Sequence, residues 1–288
     1  MPVVQELRKC GSIVDMNVVE WSRNYDIACL LGDRYETAHI ALNATRHDVP
    51  IAHIHGGEAS FGSQDNQYRD AISKLAHIHF VAADPMQRRL LDLGEEPWRI
   101  HIVGAPGLDN LREALSGPRV SQPYFVLTYH PATLVENDPA PQAIAEALAH
   151  FTDHSVLWTG VNTDPGADMI LNVLLAQYAE ISNLSLEDYL AIVRNAAAVI
   201  GNSSSGIIEA PTLEVPTVNI GSRQDGRLKG PSVFDCPADT DAIIEAIDKA
   251  LAYTGPFTNP YGGPGASKKI ADILSTIDLD GIMVKRWC

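Results

Sequence analysis

Asp26-Ile27-Ala28-Cys29-Leu30-Leu31 is a short apolar run that stops at Gly32-Asp33, and Glu36 to Arg46 beyond it contains no helix breaker. Pro50-Ile51-Ala52-His53-Ile54 repeats the apolar run and ends in His55-Gly56-Gly57-Glu58. A buried strand, a helix and a second buried strand at this spacing form a βαβ unit, which commits the chain to a mainly parallel sheet. Working outward, Asn66 to Ala76 reads as a helix, His79 to Ala82 as a strand, Met86 to Leu93 as a helix and Ile100 to Val103 as a strand. Ser116 to Pro123 carries Gly117, Pro118 and Pro123 and reads as a linker. A second alternating series follows it. Strands are predicted at Tyr124 to Tyr129, Ser155 to Trp158, Ala198 to Ile200 and Pro216 to Ile220. Helices are predicted at Pro141 to His150, Ala167 to Gln177, Leu186 to Asn195, Ile207 to Glu214 and Asp239 to Tyr253. The expected fold is α/β with two Rossmann-like domains, residues 1–117 and 118–288, the second including the C-terminal helix. The polar residues gather just after the strands, the ligand-binding edge of open α/β sheets, and a cleft between facing loops is the expected site.

Composition narrows the partners. Against 36 Asp and Glu, the 288 residues carry 21 Lys and Arg, a formal charge of −15. Such an acidic chain argues against nucleic acid or a membrane surface as partner, so an anionic ligand would need a few local donors. With 45% apolar and 20% charged residues the chain can bury cores and is not a disordered type. No apolar run approaches a membrane span, and Met1-Pro2-Val3 opens no signal peptide. Cys10, Cys29, Cys236 and Cys288 form no CxxC or metal-like spacing, so a reduced, cytoplasmic protein is expected.

Four polar clusters fall at strand ends. They are Gly32-Asp33-Arg34-Tyr35-Glu36; His53 to Glu58 with Asp65 and Arg69; Thr128-Tyr129-His130-Pro131; and Gly201-Asn202-Ser203-Ser204-Ser205-Gly206 with Glu209, followed by Gly221 to Arg227. The Gly/Ser turn leaves amide donors at a helix start that suit a phosphate, although a plain helix cap uses the same residues. Glu209 lies one helical turn beyond Ser205 and could accept from ribose hydroxyls, while Arg223 and Arg227 could neutralise a diphosphate. Strand alternation would put His53 and His55 on one face, as a metal site needs, yet no further ligand falls at a recognisable spacing, and no metal is expected. The serine turn is not a G-x-S-x-G elbow. His77 and His79 beside their strand read as core or dimer packing.

Together these words resemble the hydrolysing UDP-N-acetylglucosamine 2-epimerases, including the enzymes that make N-acetylmannosamine for sialic acid synthesis and relatives acting on diacetylated bacillosamine. The resemblance runs through Leu31 to Glu36, Ile51 to Glu58, Ala71 to Phe80, Val103 to Asn110, Tyr129-His130-Pro131, Gly201 to Glu209, Val218 to Arg227 and Asn259 to Gly262. It implies a GT-B type fold, a homodimer, UDP held mainly by the C-terminal domain, and neither metal nor nicotinamide cofactor. By motif position it implies that Ser203, Ser204, Glu209 and Arg223 hold UDP with Ser205 and Gly206 in the same turn. It places Arg34 near the phosphates, Arg69 on the substrate, and Asp33, Glu58, Asp65 and His130 around the reacting sugar. The implied reaction is anti elimination of UDP to 2-acetamidoglucal followed by hydration to N-acetylmannosamine. A bacillosamine-type epimerase, a GT-B glycosyltransferase and a non-catalytic nucleotide-sugar-binding paralogue are the alternatives. Two departures stand out. The family's opening strand and G-x-R loop have no counterpart in Met1 to Tyr25, so an incomplete, N-terminally truncated first domain is expected, and Asp70 follows Arg69 where the family usually has His.

Overall fold

The computed structural model describes residues 25–111, 122–132, 134, 138–162, 164–181 and 184–286. The sequence expectations for Met1 to Asn24 and for most of the linker, including the 117/118 boundary, lie outside them. The chain divides into two compact units: residues 25–59, 64–105 and 265–286 in the first, and 60–63 with 106–264 in the second, counting described residues only.

In the first unit, β1 (Ala28–Leu31), β2 (Ile51–Ile54), β3 (Ile78–Val81) and β4 (Ile100–Ile102) form a parallel sheet in that spatial order. They alternate with α1 (Tyr35–Arg46), α2 (Asp65–Leu75) and α3 (Asp84–Asp92). Parallel crossovers are right-handed, so strands added one after another in a single direction put every crossover helix on the same face. That face is packed by Ala28, Leu30 and Ile51 against Ile40, Ala41 and Ala44 of α1 and Ile72 of α2. The opposite face, carrying Ala52, Ile78, Phe80 and Val103, must then be covered by some other segment. It is covered by the chain's end: Ile270 and Ile282 are buried there, with Ile273, Leu274, Ile277 and Leu279 packed around them.

This corrects the expected domain assignment. The C-terminal helix α9 (Ala266–Thr276) belongs with the first unit, not with residues 118–264. The segment after it is tied down by two buried cations. Arg99 donates to the carbonyls of His77, Ile282 and Val284 (2.8–3.0 Å). Lys285 donates to the carbonyls of Lys74 and Ala76 and to Glu95 Oε2 (2.7 Å), where His79 Nε2 also meets the carboxylate (3.1 Å). Burial pushes the Glu95 carboxyl up, but the bonds from His79 and Lys285 outweigh it and hold the group at about 2.

In the second unit the parallel order is β6-β5-β7-β8-β9, with β5 at Tyr124–Thr128, β6 at Ser155–Trp158, β7 at Ala198–Gly201, β8 at Thr217–Ile220 and β9 at Val233–Cys236. One core holds Phe125 and Leu127 of β5, Trp158, Ile200 and Val218. Against them pack α4 (Ala140–Leu148), α5 (Ala167–Leu174) and α8 (Thr240–Leu251). Two helices start on side-chain caps: Ser185 accepts from Asp188 N–H before α6 (Leu186–Asn195), and Asp239 accepts from Ala242 N–H before α8. The expected helix over Ile207 to Glu214 is instead the short α7 (Ser205–Ile208) followed by turns.

Candidate active site

β5 is the first strand of its sheet and sits inside it: the chain leaves it on one side for β6 and returns on the other for β7. The carboxyl ends of β5 and β7 therefore flank a topological switch point, where open α/β sheets place their ligands. His130 follows β5, and Asn202 to Ser205 follow β7. Asn202 is buried and joins the two loops. Its amide side chain accepts from His130 N–H and donates to His130 O (both 2.8 Å). Its own carbonyl accepts from Arg223 Nη1 (3.2 Å) and Gln224 Nε2 (2.8 Å), which brings in the loop after β8.

Gly201 makes this approach possible. At φ 135° a Cβ would lie 2.0 Å from Thr128 O, so no side chain fits. His130 Nδ1 accepts from Asn162 N–H (3.2 Å), which leaves the proton of the neutral ring on Nε2 as a donor. Ser203 Oγ accepts from Ser205 N–H (3.3 Å), and Ser205 Oγ accepts from the half-buried Tyr189 hydroxyl (2.8 Å). Burial raises the Tyr189 pKa, and the nearby Glu209 carboxylate adds to that. Gly206 serves packing: a Cβ there would meet Thr217 Cγ2 at 2.6 Å, and its carbonyl accepts from Thr217 Oγ1.

The first unit carries the carboxylates. Asp33 follows β1, Glu58 follows β2, and Asp65 opens α2. Arg69, one helical turn along α2 from Asp65, ties two of them together. Its Nη2 pairs with Asp33 Oδ2, and its Nη1 donates to Glu58 O (3.0 Å) and Asn66 Oδ1 (3.3 Å). With its side chain 1% exposed, Arg69 faces these partners rather than solvent. Arg34 lies at the start of α1, exposed and beside Glu36 (3.4 Å).

His53 and His55 do not converge. Strand β2 ends at Ile54, and His55 turns away in a left-handed conformation (φ 67°) to bond Glu58 Oε1 through Nδ1 (2.5 Å). His53 is fully buried: Nε2 donates to Gly32 O (2.9 Å) and Nδ1 accepts from Ser73 Oγ (3.0 Å). Burial pushes its pKa down to about 3, so the ring is neutral, and it fixes the carbonyl directly before Asp33. Among the described residues no group of three His, Cys, Asp or Glu side chains has the geometry to hold a metal ion. Sequence reading passed over Asn202 and Gln224 as site residues. An Asn between a strand-ending Gly and a serine turn looks like a cap, and only the neighbouring loops reveal it as a hub.

Two Rossmann-like units with polar clusters at their strand ends define the GT-B type of enzyme fold. Solved structures share it. A Methanocaldococcus jannaschii UDP-GlcNAc 2-epimerase in complex with UDP-GlcNAc and UDP superposes with a TM-score of 0.77 at 21% identity, over 91% of this chain and 79% of that one. A UDP-GlcNAc 2-epimerase from Neisseria meningitidis bound to UDP-GlcNAc gives 0.72 at 18%, over 88% and 76%. The UDP-N-acetylglucosamine 2-epimerase family profile matches residues 12–275, and the chain belongs to that family. It is 34% identical over 278 residues to the UDP-N,N'-diacetylbacillosamine 2-epimerase (hydrolyzing) of Legionella pneumophila, covering 90% of this chain and 73% of that protein. It is 32% identical over 262 residues to the polysialic acid biosynthesis protein P7 of Escherichia coli (83% and 67%). Against the UDP-N-acetylglucosamine 2-epimerase of Neisseria meningitidis it is 32% identical over 242 residues, spanning 64% of that protein's length.

Proposed function

We propose that the protein hydrolyses UDP-N-acetylglucosamine with inversion at C2, giving N-acetylmannosamine and UDP without a cofactor. The observation that carries this reading is the meeting of His130, the Ser203–Glu209 turn and Arg223 around Asn202 at a switch point, in a chain of this family. In the proposal Ser203, Ser204, Glu209 and Arg223 hold UDP, with Arg34 as a further phosphate contact. Asp33, Glu58 and Asp65 supply the carboxylates that handle protons, and His130 Nε2 serves as a donor. Anti elimination removes the C2 proton and expels UDP, and water then adds across the double bond of 2-acetamidoglucal. Charge on the departing diphosphate is met by guanidinium and amide donors, which strengthen as it develops. The first unit, with the C-terminal helix, is proposed as the sugar-handling side and the second unit as the UDP side.

The similarity to the Legionella protein favours a second reading with a diacetamido sugar. Incubation with each UDP-sugar in heavy water, without any acceptor, tests both. The expected products are free UDP and N-acetylmannosamine carrying deuterium at C2. Product from the diacetylated substrate alone would select the second reading, and UDP release only with an added acceptor sugar would indicate a transferase. We further propose a cytoplasmic homodimer, checked by sedimentation against twice the 31.2 kDa chain mass. Among the described residues no helix is long and apolar enough to cross a membrane.

A further inference from the structure

We propose that Glu58 acts through His55, and that the group presented to the sugar is His55 Nε2. The inference rests on the epimerase reading above and adds a catalytic residue to it.

The Glu58 side chain is 2% exposed and the His55 side chain 18% exposed, and the two are joined by the 2.5 Å bond between Nδ1 and Oε1. A carboxylate buried behind an imidazole is poorly placed to reach a substrate carbon; the imidazole in front of it is well placed. Because Nδ1–H donates to the carboxylate, the neutral ring leaves Nε2 as a bare acceptor, and among the described residues Nε2 makes no hydrogen bond. This is the base-and-orienter arrangement by which a carboxylate fixes a histidine's tautomer and steadies the imidazolium that forms.

The backbone shows that the pose is imposed. A non-glycine residue at φ 67° sits in a sparsely populated region that persists only where its surroundings over-determine it. The turn is pinned on every side. His55 N–H donates to Phe80 O (3.0 Å), and at Gly57 (φ 73°) a Cβ would lie 2.4 Å from Met86 O. The Glu58 carbonyl accepts from both Arg69 Nη1 (3.0 Å) and Arg89 Nη1 (2.5 Å), and Arg89 is anchored by Asp70 (2.7 Å). Asp70, the departure from the family pattern, is thus a positioning residue for the dyad.

In the elimination, His55 Nε2 takes the proton from C2. The C2–H electron pair becomes the C1=C2 double bond, and the C1–O pair leaves on the diphosphate. The imidazolium stays paired with the Glu58 carboxylate until it returns the proton to solvent. The products of this step are UDP and 2-acetamidoglucal.

Two measurements on the whole chain test this. Nitrogen-resolved NMR at pH 8 should find His55 as the Nδ1–H tautomer in the wild type and shifted toward Nε2–H in Glu58→Ala. A wild-type ring protonated on Nε2 overturns the proposal whether or not the protein turns over. Second, His55→Gly suits the left-handed backbone and leaves a space shaped for imidazole. It should release UDP from the sugar nucleotide at least about 10²-fold more slowly than wild type, with UDP affinity unchanged, and added imidazole should restore at least about tenfold. A variant that keeps its rate, or a folded one that imidazole does not rescue, overturns the proposal. If the wild type releases no UDP at all, the epimerase reading fails by itself, and the tautomer still decides the dyad.

Discussion

His53→Gln separates the effect of one buried ring from the general acid response of the protein. His53 is fully buried, and burial lowers its pKa from 6.5 to about 3. A histidine depressed in the folded state is taken up neutral, while the unfolded chain protonates it below 6.5. Its contribution to stability is therefore complete above that pH and is lost as pH falls toward 3. The slope is about 1.4 kcal/mol per pH unit per group, so by pH 5 His53 alone should withdraw about 2 kcal/mol. Glutamine can still donate to Gly32 O but does not titrate. At pH 7.5 the variant should be less stable by about 1–3 kcal/mol, for the lost bond to Ser73 and poorer filling of the site. His77, lowered to about 4 chiefly by burial, titrates in both proteins, as does His79, the cross-strand neighbour of His53. Urea denaturation followed by circular dichroism at pH 7.5 and pH 5 should show the gap between wild type and variant shrinking by about 2 kcal/mol. A gap that stays constant within about 0.5 kcal/mol would refute the claim that His53 is held neutral by burial.

Gly201→Ala should cost at least about 3 kcal/mol, since the new Cβ would fall 2.0 Å from Thr128 O at φ 135°; a wild-type melting temperature would show that the end of β7 can relax. Glu209→Ala should weaken UDP binding by about 1–3 kcal/mol in calorimetry, and an unaltered affinity in the folded variant would remove Glu209 from the nucleotide site. Lys285→Met takes one cation from the buried Glu95 carboxylate and two donor bonds from the carbonyls of Lys74 and Ala76. It should destabilise the first unit by about 3 kcal/mol and expose residues 279–286 to limited proteolysis; equal resistance in both proteins would count against the latch.

The local alternation of apolar runs and breaker-free stretches was enough to place most strands and helices within a residue or two, because burial on both faces of a parallel strand leaves an unmistakable apolar run. Asp33, Glu58, His130 and the serine turn were legible for the same reason: each follows such a run. β9 was missed, since Val233-Phe234-Asp235-Cys236 is a short edge strand with a charge inside it. Other features depend on residues far apart in the chain, and there the one-dimensional pattern is silent. The handedness of three consecutive crossovers leaves one face of the first sheet bare, so the C-terminal helix had to pack there and not on the domain it follows. That the Arg69 guanidinium is buried between Asp33 and Glu58 is visible only once α2 is packed against the ends of β1 and β2. Alternation put His53 and His55 on one face because it assumes that the strand continues. The strand stops at Ile54, one ring enters the core as a neutral strut, and the other is turned back onto Glu58 by a backbone angle that only the packed surroundings can hold.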